Sequence, residues 1–115
     1  MKMIIAIIRP NRLTPVKSAL QENGISGINV TAAKGCGTQR GIVERYRGSE
    51  YVIDLLDKVE ITVLVKDSDL NQAVQTISDA AKTGEVGDGK IVVLNVEEVI
   101  RIRTGETGEN ALEKT

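Results

Sequence analysis

Histidine, phenylalanine and tryptophan are absent from this chain, and cysteine occurs once. Without histidine there is no His-based triad, no usual His metal site and no His pH switch. One cysteine, Cys36, allows neither an intramolecular disulfide nor a metal-ligand cluster. Aromatics are 2% of the residues, two tyrosines, so the core must be built from Ile, Val, Leu and Ala. Long apolar runs are also missing: Met3 to Ile8 ends at Arg9-Pro10, too short for a signal-peptide core or a membrane span. A formal net charge of -1 exerts no general pull on nucleic acid or an anionic membrane and leaves only local basic clusters. The 115 residues fit one domain, long enough to bury roughly two-thirds of its unfolded surface. The chain reads as a soluble intracellular protein, placed in the cytoplasm.

Both tyrosines, Tyr46 and Tyr51, stand in the stretch Gly35 to Lys58, among Glu44, Arg45, Arg47 and Glu50. A chain this poor in aromatics is expected to spend its tyrosines on packing, yet these lie in its most polar segment. The stretch opens with Gly35, Gly37 and Gly41, which break strands and let backbone approach a ligand. A long loop of this kind inside a compact domain is functional or a solvated hairpin connection.

Around it the periodicity is regular. Met3 to Ile8 reads as a central strand, apolar on both faces. Thr14-Pro15 reads as the N-cap and first residue of a helix whose apolar face is Leu13, Val16, Ala19 and Leu20, stopped by Asn23-Gly24. Ile28, Val30 and Ala32 alternate as a second strand. A third strand puts Val59, Ile61, Val63 and Val65 on one face and Glu60, Thr62, Leu64 and Lys66 on the other. Asp67-Ser68-Asp69 caps a second helix with the stripe Leu70, Ala73, Val74, Ile77 and Ala81, ending at Thr83-Gly84. A fourth strand runs from Ile91 to Val96, and a mobile tail is expected over about 104–115. The order β-α-β-β-α-β predicts an α+β, ferredoxin-like subunit, an antiparallel sheet with both helices on one face. The first and fourth strands are apolar on both faces, so the uncovered face predicts a closed symmetric oligomer.

Gly84 to Lys90 has the spacing of a phosphate-binding P-loop, but Ile91 follows instead of Ser or Thr, and the loop runs from helix to strand. Its closely spaced glycines still suit backbone contact with an anion, or else a tight turn. Arg101 and Arg103, two apart in an extended segment, point the same way and match phosphate oxygens, unless Glu97 or Glu98 pairs with them. With Lys90 they would make a generous provision for a triphosphate, and the two glycine loops could face one cleft across a subunit boundary. Cys36 is a reactive thiol or simply a small side chain in a tight loop. Glu44, Glu50, Asp54 and Asp57 form no recognisable acid–base pair, and no catalytic residue is assigned.

Three stretches carry a family resemblance that runs from Met1 to about Gly108. Tyr46-Arg47-Gly48-Ser49-Glu50-Tyr51 resembles the T-loop signature of PII signal-transduction proteins. Thr83 with Gly87-Asp88-Gly89-Lys90-Ile91 is similar to their C-terminal signature, and Arg101-Ile102-Arg103-Thr104-Gly105 to their closing segment. The resemblance implies one PII-like domain over 1–115 with a long T-loop about 37–57, assembled as a homotrimer with ATP or ADP in inter-subunit clefts. Gly37, Gln39, Gly87, Asp88, Gly89, Lys90, Arg101 and Arg103 stand where the family holds nucleotide. It further implies magnesium-dependent 2-oxoglutarate binding by Arg9, Gly37, Gln39, Gly41, Lys58 and Gly87, with Gln39 on the metal. Tyr46, Arg47, Gly48 and Tyr51 would dock on an ammonium transporter, the only membrane contact implied, or on a nitrogen-metabolism enzyme. Tyr51 and Ser49 match positions that modifying enzymes act on in some members. Thr38 stands where an Arg is common, Thr62 where an acid is common, and Val92 and Asn11 where aromatics are common.

A ligand-sensing regulator of nitrogen metabolism, not an enzyme, fits these residues best. Alternatives are a divergent PII-like adenylate sensor with another second ligand, or a slow ATPase, for which no side chain is evident to position water. An RNA-binding module shares the element order but needs aromatics on its strand faces, and these strands have none.

Overall fold

A computed structural model describes residues 1–35, 42–46, 49–53 and 55–112, with 42–46 and 49–53 described by their backbone. Strand β1 (Lys2–Ile8) is followed by helix α1 (Leu13–Glu22), strand β2 (Asn29–Gly35), a hairpin of β3 (Ile42–Tyr46) and β4 (Ser49–Ile53), strand β5 (Leu56–Val65), helix α2 (Leu70–Ala81) and strand β6 (Gly89–Asn95). The main sheet has the order β2-β5-β1-β6 with every neighbouring pair antiparallel. Together with the two helices this is the ferredoxin-like α+β arrangement predicted from the element order.

Strand period decides which side chains are buried. Ile4, Ala6 and Ile8 of β1 register against Val63, Ile61 and Val59 of β5, and all six are buried. On the same face Val16 and Leu20 of α1 and Ala73, Ile77 and Ala81 of α2 complete the core. Fully burying an aliphatic side chain contributes about 1.5–3 kcal/mol, so this aliphatic layer carries the fold without a single aromatic. The opposite face holds Met3, Ile5 and Ile7 of β1 with Thr62 and Leu64 of β5 and Val92 and Leu94 of β6. Leu64, Val92 and Leu94 are exposed there, so one sheet face has no cover among the described residues.

Several boundaries differ from the sequence reading. The chain enters α1 through a 3-10 turn, Pro10–Arg12, with Pro10 at its first position, so Thr14 and Pro15 lie inside the first turn of α1 and Thr14 does not cap it. Proline is tolerated there because the first-turn N–H groups have no intrahelical partner. Asp67–Asp69 is likewise a 3-10 turn, with no side-chain cap on α2. The Asp67 carboxylate instead accepts from the N-terminal amine at 2.8 Å. Helix α2 stops at Ala81, two residues before the expected Thr83-Gly84. Strand β6 begins at Gly89, so Lys90 is a strand residue and not the edge of a loop.

The stretch expected as one loop is partly regular. β2 and β5 stay paired out to Gly35 and Leu56, three residues beyond the expected start of the third strand at Val59. Between them stands the β3–β4 hairpin, registered from Ile42↔Ile53 to Tyr46↔Ser49. Its signal is visible in hindsight: Ile42, Val43, Val52 and Ile53 are strand formers on either side of Arg47-Gly48. The tail expected from Thr104 onward also has structure as far as Leu112: Ile100 bridges Thr107, and Gly108–Ala111 forms a 3-10 turn in which Ala111 is buried.

Candidate functional site

The antiparallel order brings one end of β1, β5 and β6 together. β1 ends at Ile8, opposite Val59 at its β5 neighbour and Gly89 at its β6 neighbour. The residues just beyond these positions are Arg9, Lys58 and the loop Thr83–Asp88, and Gly35 closes β2 beside them. Chain-distant residues with the predicted anion-binding chemistry therefore meet at a single sheet end.

Side chains knit this end together. Arg9 donates through Nη2 to the Val86 carbonyl at 2.7 Å and through Nε to Asp88 Oδ1 at 3.1 Å. Lys58 Nζ donates to the Gly87 carbonyl at 2.7 Å, and its Cγ lies 3.5 Å from where a Cβ on Gly35 would stand. Asp88 turns inward on its own loop: its Oδ2 accepts from the backbone N–H of Thr83 and of Gly84, both at 2.9 Å, and Oδ1 also accepts the Thr83 hydroxyl. The Thr83 bonds, seconded by Gly84 and Arg9, hold the Asp88 carboxyl well below the usual carboxylate range. Asp88 was expected as a nucleotide residue; within this chain its carboxylate serves to shape the loop.

Gly89 is obligatory. Its φ is +101°, and a Cβ there would lie 1.7 Å from the Ile7 carbonyl oxygen. No other residue lets β6 start this close to β1. Lys90 follows, exposed, and a groove of about 240 Å³ lies beside it, walled by Ile8, Ala81, Ile91 and Gly89 with Lys82 and Lys90 at its edge.

Arg101 and Arg103 do not join Lys90 within the chain. β6 runs away from the site, and at its far end Val96 N–H bonds the Met1 carbonyl. Seven residues of strand at about 3.3 Å each separate the two ends. Leu112, in the same C-terminal turn, lines a groove with Gly24, Val65 and Lys66 at that far end. The segment is not extended, as expected from sequence, but turned: Arg101 N–H bonds the Glu106 carbonyl and Gly105 N–H bonds the Arg101 carbonyl, each at 2.8 Å. Arg101 Nη1 pairs with Glu106 at 2.9 Å, not with Glu97 or Glu98, and Nη2 reaches the Asn110 carbonyl at 3.0 Å. Its Nε is buried without a hydrogen-bond partner among the described residues. Arg103 is exposed, so the two arginines do not form the parallel pair that their spacing suggested.

The remaining candidates are only partly in view. Gly37, Gln39, Gly41, Arg47 and Gly48 lie outside the described residues, as do Cys36, Thr38, Arg40 and Asp54. Tyr46, Ser49 and Tyr51 are strand residues of the hairpin, where Tyr46 faces Ser49 and Tyr51 faces Glu44 in register. Among the described residues no group of three or more Cys, Asp or Glu could hold a metal ion, and no helix is long and apolar enough to cross a membrane. Sequence reading missed two contributions. The Lys34–Asp57 pair at 2.6 Å, directly opposed on β2 and β5, marks the root of the hairpin stretch. The Asp88 tie to Arg9 joins residues 79 apart, a separation that no local pattern encodes.

Comparison with known proteins places this arrangement. The family model described as nitrogen regulatory protein P-II matches residues 1–106. The chain is 57% identical over 112 residues to the nitrogen regulatory protein P-II of Rhizobium meliloti (strain 1021), covering 97% of this chain and 100% of that protein. The figures are the same for that of Azospirillum brasilense. Nitrogen regulatory protein P-II 2 of Methanothermobacter thermautotrophicus is 52% identical over 112 residues, covering 97% of each chain. Matched over nearly its whole length by the model and by these regulators, the chain belongs to the nitrogen regulatory protein P-II family.

Proposed function

We propose that this chain is a nitrogen-status sensor that binds ATP or ADP, and 2-oxoglutarate with magnesium, and passes their occupancy to a partner through the hairpin stretch. The observation that carries the reading is the convergence of Arg9, Lys58 and the Gly87–Lys90 segment at one sheet end. Two cations and a glycine loop with a lysine just beyond it suit a nucleotide phosphate chain and a carboxylate ligand. Gln39 is assigned the metal on the strength of the family resemblance. A bound magnesium ion would supply positive charge against the ligand's oxygens, and the chain's own Arg9, Lys58 and Lys90 would orient and neutralise the ligand.

The working unit in this proposal is a homotrimer. The uncovered sheet face with Ile5, Leu64, Val92 and Leu94 favours association. The placement of Arg101 at the far end from Lys90 favours sites shared between copies, each with Lys90 from one chain and Arg101 and Arg103 from the next. Regulation is by population shift: ligands at the sheet end favour one arrangement of the β3–β4 stretch, which starts from the same end and docks on an ammonium transporter or a nitrogen-metabolism enzyme. Tyr51 and Ser49 are the candidate sites for a modifying enzyme.

Calorimetric titration with ATP and magnesium, with and without 2-oxoglutarate, on protein of known solution mass tests this reading. A trimer that binds ATP, and binds it more tightly with 2-oxoglutarate, is the expected result. ATP binding without any effect of 2-oxoglutarate would leave an adenylate sensor with a different second ligand. No nucleotide binding would remove Lys90, Arg101 and Arg103 from the site.

A further inference from the structure

Asn23-Gly24, which stops α1, is the one place in the chain where an asparagine precedes a glycine. Both residues are exposed. An asparagine side chain is open to attack by the backbone nitrogen of the next residue, and glycine hinders that approach least because it has no Cβ. The fold places this pair in a closely bonded helix end. Gly24, at φ +78°, donates its N–H to the Gln21 carbonyl at 3.0 Å, and Ile25 donates to the Leu20 carbonyl at 2.9 Å. These two bonds are the Schellman arrangement, with glycine in the left-handed position and Ile25 packed on the core that contains Leu20. The Asn23 side chain is held by both of its polar atoms. Its Nδ2 donates to the Ala19 carbonyl at 2.8 Å, and its Oδ1 accepts from Gln72 Nε2 of α2 at 2.9 Å.

We propose that Asn23 is a site of spontaneous deamidation that the α1 cap keeps closed, with Gln72 of α2 as its guard. In the reaction the Gly24 nitrogen, its proton lost to solvent base, forms a bond to Asn23 Cγ. The Cγ–Nδ2 bond breaks, and Nδ2 takes a proton from water and leaves as ammonia. Water then opens the cyclic imide to aspartate, or to isoaspartate, in which the backbone runs through the former side chain. Nothing is oxidised or reduced. The cap opposes each requirement of the first step. The attacking nitrogen is committed to the Gln21 carbonyl, and the carboxamide must leave both Ala19 and Gln72 to turn towards Gly24. The reaction therefore proceeds from the locally opened cap and not from the closed one.

The change is also one-way. The product lacks the donor that serves the Ala19 carbonyl, and its carboxylate lies at the negative end of the α1 dipole. Isoaspartate further lengthens the backbone between positions that the two cap bonds hold in register. A cap that has stayed open long enough to react does not close as before, so the modification is a lasting record of the opening of α1.

The test incubates the full chain at mildly alkaline pH, native and in urea, and follows Asn23 by peptide mass spectrometry. Asp88-Gly89, the one Asp-Gly pair, changes no mass on isomerising and so does not confuse the reading. In urea Asn23 is expected to deamidate about tenfold or more faster than in the native chain. Native Gln72→Ala is expected to react about threefold faster than native wild type, the size of effect that one hydrogen bond supports. Arg12→Ala, which loosens the other end of the helix pair, is expected to react at the wild-type rate and so separates local opening from general destabilisation. Equal rates in native and urea-unfolded chains, or no reaction at Asn23 in urea, overturn the proposal. Gln72→Ala at the wild-type rate, or matched by Arg12→Ala, overturns the guarding role of Gln72.

Discussion

Arg12, at the entry to α1, donates through Nε and Nη2 to the Ala80 carbonyl at the end of α2, at 3.0 and 2.6 Å. At the other end of the helix pair Gln72 Nε2 donates to Asn23 Oδ1 at 2.9 Å. The last carbonyls of a helix lack intrahelical partners and sit at the negative end of its dipole, so a guanidinium there is doubly favourable. Replacing Arg12 with Ala is expected to cost about 1.5 kcal/mol, in the range for hydrogen bonds to charged groups. Arg12→Lys should recover only part, because one ammonium cannot reproduce the two-point contact. Urea unfolding of the three proteins reads this directly, and a midpoint for Arg12→Ala equal to wild type would refute it.

Two glycines, Gly84 in the loop after α2 and Gly89 at the start of β6, should respond differently to alanine. At Gly89 the added Cβ meets backbone at 1.7 Å and φ is +101°. Gly89→Ala is expected to separate β6 from β1 and cost more than about 3 kcal/mol, beyond an ordinary point substitution. Gly84 has φ +90° but open space around it, so Gly84→Ala should cost only about 1 kcal/mol, from backbone strain. Thermal melts followed by circular dichroism separate the two cases.

Acid should weaken the fold through two carboxylates. Asp88 is held low first by Thr83, and Asp67 first by the N-terminal amine. The folded state binds fewer protons than the unfolded state between the depressed folded values and the ordinary 3.8. The stabilisation is therefore present above about pH 4 and is lost as pH falls below it. Asp88→Asn should flatten the fall in the urea midpoint between about pH 5 and pH 2. A slope the same as wild type would mean that Asp88 is not depressed.

If sites are shared between copies, damage at Lys90 and damage at Arg101 should complement. Lys90→Ala and Arg101→Ala chains, each poor in ATP binding alone, are expected on co-refolding to regain about a quarter of the sites, the random fraction in a cyclic assembly that pairs one intact residue of each kind. Calorimetric stoichiometry checks this. No recovery would place both residues in one chain's site or remove one of them.

The uncovered sheet face predicts a further change. Ile5 stands at its centre, opposite Thr62 on one side and Val92 on the other. Ile5→Glu is expected to leave the helix-side core intact and abolish association, because a buried unpaired carboxylate is costly. Light scattering should then give the mass of a single chain. An unchanged oligomer would show that this face is not the contact.

Much of the fold is legible in the sequence because burial follows period. Val59, Ile61, Val63 and Val65 alternate, and all four are buried; Ala73, Ile77 and Ala81 repeat at helical spacing, and all three are buried. Boundaries were less legible, since caps depend on where the chain enters: a 3-10 turn begun by Pro10 leads into α1, and Thr14-Pro15 lies inside the helix. At the site, Gly87 to Lys90 stood out for its glycines, but the inward use of Asp88 did not, because its partner Arg9 comes from the other end of the chain. Arg101 misled for a related reason. Alternate spacing implies a shared face only in extended backbone, and here the backbone turns back on itself so that Arg101 meets Glu106.

The paired positions Gly35 and Leu56 stand directly opposite each other in the sheet, with about twenty residues between them. The entropy of closing that excursion grows only with the logarithm of its length, so doubling it would cost on the order of 0.6 kcal/mol. Its length is thus nearly decoupled from the stability of the body that carries it. Recognition of a new partner could be written into those twenty or so residues while the aliphatic core, the Arg9–Asp88 tie and the sheet end that holds it stay as they are.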